Sequence, residues 1–90
     1  MKQIFKYQLA SQLNPIKLPI HSKVLSFQAQ NNNPCIWVML DPMQTETEER
    51  TFILVPTGIK FFEGDSKYIG TTQLNDGGIV FHLFEVLNGE

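Results

Sequence analysis

Cys35, His82 and a handful of carboxylates are the side chains in this chain with reactive potential, and their spacing limits what each can do. His82 and Glu85 lie three residues apart in Ile79–Val86, a segment that reads as a strand. Side chains alternate along a strand, so the two point to opposite faces and cannot share a proton as an acid/base pair. The same alternation lets His82 reach Thr71 across a hairpin, as a hydrogen-bonded, partly buried histidine. His21 follows Pro19-Ile20 in a loop and is expected in solvent. Cys35 with His82 suggests a thiol hydrolase, but no nucleophile motif surrounds the cysteine. One cysteine and two histidines at unrelated spacing do not complete a tetrahedral zinc set. Neither a Gly-rich phosphate loop leading into a helix nor a Gly-x-Ser-x-Gly elbow is present. Glu46, Glu48 and Glu49 sit in a polar segment and read as a solvated face. No cofactor is implied, and the expectation is a protein that is not an enzyme.

Residues suited to holding a molecule are easier to assemble. Trp37 offers a flat apolar surface for stacking a ring. Gln28 and Gln30 bring donors and acceptors to the same strand face in one register, and Arg50 can clamp a phosphate or carboxylate with two parallel N–H donors. The amides at Thr57-Gly58 can form an anion-binding concavity. With His82, the candidate ligand-binding set is Gln28, Gln30, Trp37, Arg50, Thr57, Gly58 and His82. A structural alternative stands beside it, with Trp37 in the core, Arg50 paired with Glu48 or Glu49, and Thr57-Gly58 as an ordinary turn.

These residues ride on strands. No window keeps apolar residues at i, i+3, i+4 and i+7 for three turns. The spacing instead predicts a first strand over 3–9, a short edge segment Ile16-Lys17-Leu18 between Pro15 and Pro19, and a hairpin of 24–30 with 35–41 around Asn31-Asn32-Asn33-Pro34. A turn centred on Asn32-Asn33 sets Gln28 opposite Trp37 and Phe27 opposite Val38. Leu25, Phe27, Ala29, Ile36, Val38 and Leu40 then share an apolar face. Ser26, Gln28, Gln30, Cys35, Trp37 and Met39 share the other, and a one-residue slip would bring Trp37 inward. A polar loop from Asp41 through Glu49 precedes a strand from Arg50 to Val55. Tyr68–Leu74 and Ile79–Val86 pair across Asn75-Asp76-Gly77-Gly78. The last strand is apolar on both faces, with Ile79, Phe81 and Leu83 against Val80, Phe84 and Val86, so it needs cover on both sides. A second copy of the chain is the expected source of the second cover. The fold class is mainly β: a small antiparallel sandwich or partly open barrel of about six to seven strands built from hairpins.

Composition agrees with a single β domain over residues 1–90. The chain is 42% hydrophobic with seven Phe, ample for a core. Seven Lys and Arg against nine Asp and Glu give a net charge of −2. The cations are scattered singly, which argues against a nucleic-acid polymer as partner. No apolar run approaches the roughly 20 residues of a membrane helix, the early charges at Lys2 and Lys6 do not suit a signal peptide, and a lone cysteine suits a reducing cytoplasm.

Taken in order, Gln30-Asn31-Asn32-Asn33-Pro34-Cys35-Ile36-Trp37, Leu40-Asp41-Pro42, Glu49-Arg50-Thr51-Phe52, Thr57-Gly58, Tyr68-Ile69-Gly70-Thr71 and Val80-Phe81-His82-Leu83-Phe84-Glu85 resemble a family of small all-β proteins encoded in bacteriophages and prophages. The likeness runs from about residue 1 to 86. Where that family leads one to expect Thr-Gly-His, this chain has Thr57-Gly58-Ile59. The resemblance implies a phage origin, and small oligomeric phage proteins often neutralise host defences, some as sponges that hold nucleotide second messengers between subunits. The resulting expectation is a non-enzymatic homo-oligomer that sequesters a small nucleotide-like immune signalling molecule in the host cytoplasm. The alternative is a module that inhibits a host protein through a sheet edge or apolar face. A third reading, a small hydrolase using His82 with Glu85 or Cys35, lacks a supporting motif.

Overall fold

A computed structural model describes residues 1–87. Seven strands follow one another: β1 (Gln3–Gln8), β2 (Leu13–Pro19), β3 (Lys23–Gln30), β4 (Asn33–Leu40), β5 (Thr47–Pro56), β6 (Ser66–Leu74) and β7 (Ile79–Val86), with a 3-10 turn at Asn75–Gly77. They form two antiparallel sheets, ordered β1-β4-β3 and β2-β5-β7-β6. The sheets face each other as a sandwich and do not close into a barrel. Among the described residues no helix is long and apolar enough to cross a membrane.

The core lies between the layers. Leu9, Phe27, Ile36, Val38 and Leu40 come from the first sheet and its exit, and Leu18, Phe52, Leu54 and Leu83 from the second. Each such side chain contributes about 1.5–3 kcal/mol when withdrawn from water. Thr72 Oγ1 accepts a hydrogen bond from the Ala29 N–H at 3.1 Å, and this contact ties β6 to β3 along one side of the sandwich.

The β3–β4 hairpin turns at Asn31-Asn32, both left-handed with φ of 50° and 63°, as a two-residue loop closing on Gln30 and Asn33 requires. This corrects the expected pairing. Gln28 stands opposite Cys35, Phe27 opposite Ile36, and Ser26 opposite Trp37. Each partner moves by two residues, an even number, so the faces are unchanged: Phe27, Ile36, Val38 and Leu40 are buried, and Trp37 lies on the outer face. Leu25 is the exception. A bulge between Val24 and Ser26 rotates it out of the inner row, and it is 44% exposed. The two hairpin turns clasp one another. The Asn75 N–H donates to Asn32 Oδ1 at 2.7 Å, and the Asn32 amide donates back to Asn75 Oδ1.

One further expectation is corrected. β5 begins at Thr47 rather than Arg50, because Thr47, Glu48 and Glu49 find ladder partners in Pro19, Leu18 and Lys17; the pairing strand overrides the polar composition. The polar loop shortens to 41–46. Part of the second cover for β7 comes from within. The segment 57–65 folds over the outer face of the four-stranded sheet and sets Phe61 against Phe84, ring centroids 5.1 Å apart. Tyr68 meets the same ring edge-on at 5.6 Å. Phe84 and Val80 are half-buried on this face.

Candidate functional site

β5 and β7 place one ion pair between the layers. Arg50 precedes Phe52 by two residues and therefore shares its inward face; Glu85 stands directly opposite Phe52 in the ladder. The guanidinium meets the carboxylate with two parallel bonds, Nε to Oε2 at 2.6 Å and Nη2 to Oε1 at 2.9 Å. Its third arm, Nη1, donates to the Ser22 carbonyl at 2.5 Å. The Phe52 ring lies 5.9 Å below Cζ, within range of a cation–π contact. The Ser22 acceptor is fixed by its own turn. The Ser22 hydroxyl donates to the Pro19 carbonyl at 2.6 Å, and His21 adopts a left-handed φ of 67°.

The hydrogen bond from Glu85 holds the Arg50 guanidinium above its ordinary pKa; burial opposes this, and the charges of Glu85 and Glu48 add to it. A raised cation pKa stabilises the fold fully below the ordinary value and loses that contribution only as pH climbs through the raised one. Arg50 is therefore a fixed positive charge at every working pH.

Beside this pair, where β3 begins and β6 enters its bulge, lies an open groove of about 390 Å³. Ser22, Lys23, Ser26, Arg50, Lys67 and Glu85 line it. Lys67 stands opposite Glu85 in the ladder, so its ammonium belongs to the same end of the sandwich. Three cations and one carboxylate line the groove, and Glu48 stands near enough to Arg50 to act on its charge. Tyr68 also borders the groove, with its ring packed edge-on against Phe84. A second groove, about 540 Å³, runs under Phe62 between Leu13, Ile53 and Val86. Its polar walls are Glu63 and Asp65, which repel anions. Of these two grooves, the one at Arg50 carries the cations.

The seven candidate residues fall on separate surfaces. Gln28, Gln30 and Trp37 share the outer face of the three-stranded sheet. There Gln30 Oε1 accepts a 2.5 Å hydrogen bond from Lys6 Nζ, and this link crosses β4 over Cys35. Cys35 is on the outer face and yet buried. Arg50 lies between the layers, and its partner is Glu85 rather than Glu48 or Glu49.

Thr57, Gly58 and His82 lie on the outer side of the four-stranded sheet. Thr57 Oγ1 is 2.6 Å from His82 Nε2, His82 Nδ1 is 2.9 Å from Thr71 Oγ1, and Thr71 Oγ1 is 2.6 Å from the Tyr68 hydroxyl. The contact between His82 and Thr71 expected from strand alternation is present. At Thr57-Gly58, one of the two amides expected to form an anion concavity is already engaged. The Thr57 N–H is bound to the Val80 carbonyl at 2.9 Å and the Ile59 N–H to the Pro56 carbonyl at 3.2 Å, with Gly58 at φ 89° as that tight turn requires. Cys35 and His82 lie on the outer faces of different sheets and form no dyad. Among the described residues no cluster of His, Cys, Asp and Glu could hold a metal ion.

Sequence reasoning marks Glu85 only as a partner for His82, not for Arg50, and does not mark Lys23 or Lys67. For Glu85 a signal exists: it shares the inward row of Leu83, where a carboxylate needs a cation, and Arg50 is the chain's single arginine. For Lys23 and Lys67 no local signal exists, since their proximity depends on how the two sheets meet.

The whole chain, residues 1–90, matches the family described as a domain of unknown function, DUF7352, and belongs to it. No curated protein and no solved structure matches the chain.

Proposed function

We propose, for this member of a family without an assigned activity, that the protein binds a small phosphate-bearing, nucleotide-like molecule without transforming it. The groove at Arg50 carries the reading: Lys23 and Lys67 present ammonium groups beside a guanidinium whose orientation Glu85 and Ser22 already fix. Such a groove offers charge complementarity to a phosphate with little reorganisation on binding. In the phage setting implied by the sequence resemblance, the biological role is sequestration of an immune signalling nucleotide, by a homo-oligomer in the host cytoplasm. Trp37, Gln28 and Gln30 lie on another face, so a stacked base is not part of the proposed groove.

Titration calorimetry against cyclic dinucleotides and ADP-ribose derivatives tests this, with recovery of the ligand after denaturation. One of them is expected to bind and to return chemically unchanged. Lys67→Glu reverses a charge at the groove wall and should weaken binding at least about tenfold, or 1.4 kcal/mol, with raised salt doing the same to the parent. Silence from every ligand, or an altered one recovered, removes the proposal.

A specific observation favours the alternative of a protein-interaction module. Phe62 is 87% and Leu13 59% exposed about the same apolar groove, which Ile53 and Val86 floor, and a contiguous apolar patch of this kind marks a contact surface. Co-purification from host lysate separates the two, since a sponge retains a small molecule and an inhibitor a polypeptide.

A further inference from the structure

The sheet edges of this molecule are not closed alike. In β2 the Leu54 N–H donates to the Gln12 carbonyl at 2.8 Å, which sets the phase of the ladder: even-numbered residues face β5, and Leu13, Pro15, Lys17 and Pro19 turn outward. Two of these four outward positions are prolines, without an N–H to offer. In β3 the outward Ala29 N–H is taken by Thr72, and the bulge at Leu25 breaks the line. β6 lies alongside β3 and carries its own bulge between Tyr68 and Gly70. Prolines, bulges and lateral cover are the devices by which sheets avoid pairing with other chains.

β1 has none of them. The Leu9 N–H donates to the Pro34 carbonyl at 2.9 Å, so odd-numbered residues face β4, and Ile4, Lys6 and Gln8 turn their N–H and C=O groups to the free edge. The register is unbroken from Gln3 to Gln8. Among the described residues no backbone group pairs with these three outward positions. Lys6, the residue that would guard the edge with charge, is instead drawn across the sheet to Gln30. Phe5 lies on the core-facing side and is still 42% exposed.

We propose that β1 pairs antiparallel with β1 of a second copy about a two-fold axis at Phe5. Ile4 and Lys6 then exchange backbone hydrogen bonds, Gln3 faces Tyr7, and Gln8 faces Lys2. Phe5 meets its own counterpart at a non-hydrogen-bonded position, where side chains approach most closely. Two-residue shifts either way set Lys6 against Lys6 or Lys2 against Lys6, like-charge pairs that destabilise a ladder. The alignment at Phe5 avoids both and keeps most of the strand paired. This names the assembly within the function proposed above without resting on the ligand, because titration reads the groove and particle mass reads the edge.

Sedimentation velocity from about 1 to 200 µM reads a weak pairing of the kind a small interface forms. The parent is expected to pass from one copy to two across that range. Ile4→Pro places on β1 the device β2 already carries; its N–H faces away from β4, so the internal ladder stays whole, and one copy is expected throughout. Phe5→Cys should give a covalent pair on mild oxidation, and Gln3→Cys should not. A parent that stays single at every concentration overturns the proposal, as does a dimer that survives Ile4→Pro. If Ile4→Pro fails to fold, the cysteine variants decide: cross-linking at Phe5 alone supports the alignment, and none there, or as much at Gln3, overturns it.

Discussion

Glu85→Ala is expected to lower the free energy of unfolding by about 3 kcal/mol, the lower end of the range found when one partner of a buried ion pair is removed, because the pair borders an open groove. The substitution leaves the Arg50 guanidinium with the Ser22 carbonyl as its remaining hydrogen-bond partner. Side-chain exposures of 18% and 11% leave little water to screen the unpaired charge. For a domain this size such a loss is a large part of the total stability. Urea unfolding followed by Trp37 fluorescence measures it directly. The double variant Arg50→Met with Glu85→Leu is expected to recover most of the loss, since it removes the stranded charge and retains apolar volume. A midpoint unmoved by Glu85→Ala would show that the pair does not stabilise the fold.

Phe52→Ala is the second large effect, about 3–5 kcal/mol, typical of deleting a fully buried aromatic side chain. Phe52 is completely enclosed between the layers and also underlies the Arg50 guanidinium, so its loss opens a cavity and removes the ring beneath the cation. Phe61→Ala provides the contrast. Phe61 covers Phe84 from the loop and remains partly in water, so its truncation should cost about 1 kcal/mol, near the worth of one aromatic pair. Thermal melts of the two variants compare them under one condition. Equal losses would place segment 57–65 in the core rather than over it.

Much of the architecture was legible because strand alternation carries its own constraint. The inward row Phe27, Ile36, Val38 and Leu40 could be assigned without knowing the partners, since any even change in pairing preserves the faces. The edge position of β2 was legible from Pro15 and Pro19, whose missing donors suit only an outer strand. Leu25 was not, because a bulge is set by how β3 and β6 meet rather than by local composition. The extension of β5 to Thr47 was hidden for a similar reason: Glu48 and Glu49 are poor strand formers by propensity and are held by β2.

The candidate site was less legible than the fold. Arg50 could be picked out by chemistry, but its partner lies 35 residues away in the chain, and Lys23 and Lys67 reach the same groove through strands of different sheets. Trp37, Gln28 and Gln30 share a face, as alternation requires. Alternation along one hairpin says nothing of where Arg50, Thr57 or His82 will fall, and the sandwich separates them.

The link from Lys6 to Gln30 makes the lone thiol a built-in gauge of β1. Cys35 is 1% exposed although it points away from the core, and it stands between Gln8 of β1 and Gln28 of β3, with the Lys6–Gln30 link crossing the same strand. Reagent reaches the sulfur when β1 peels from β4, and the alkylation rate of native protein therefore counts those openings. A bound second copy along β1 would slow that count, whereas occupancy of the distant charged groove would leave it unchanged.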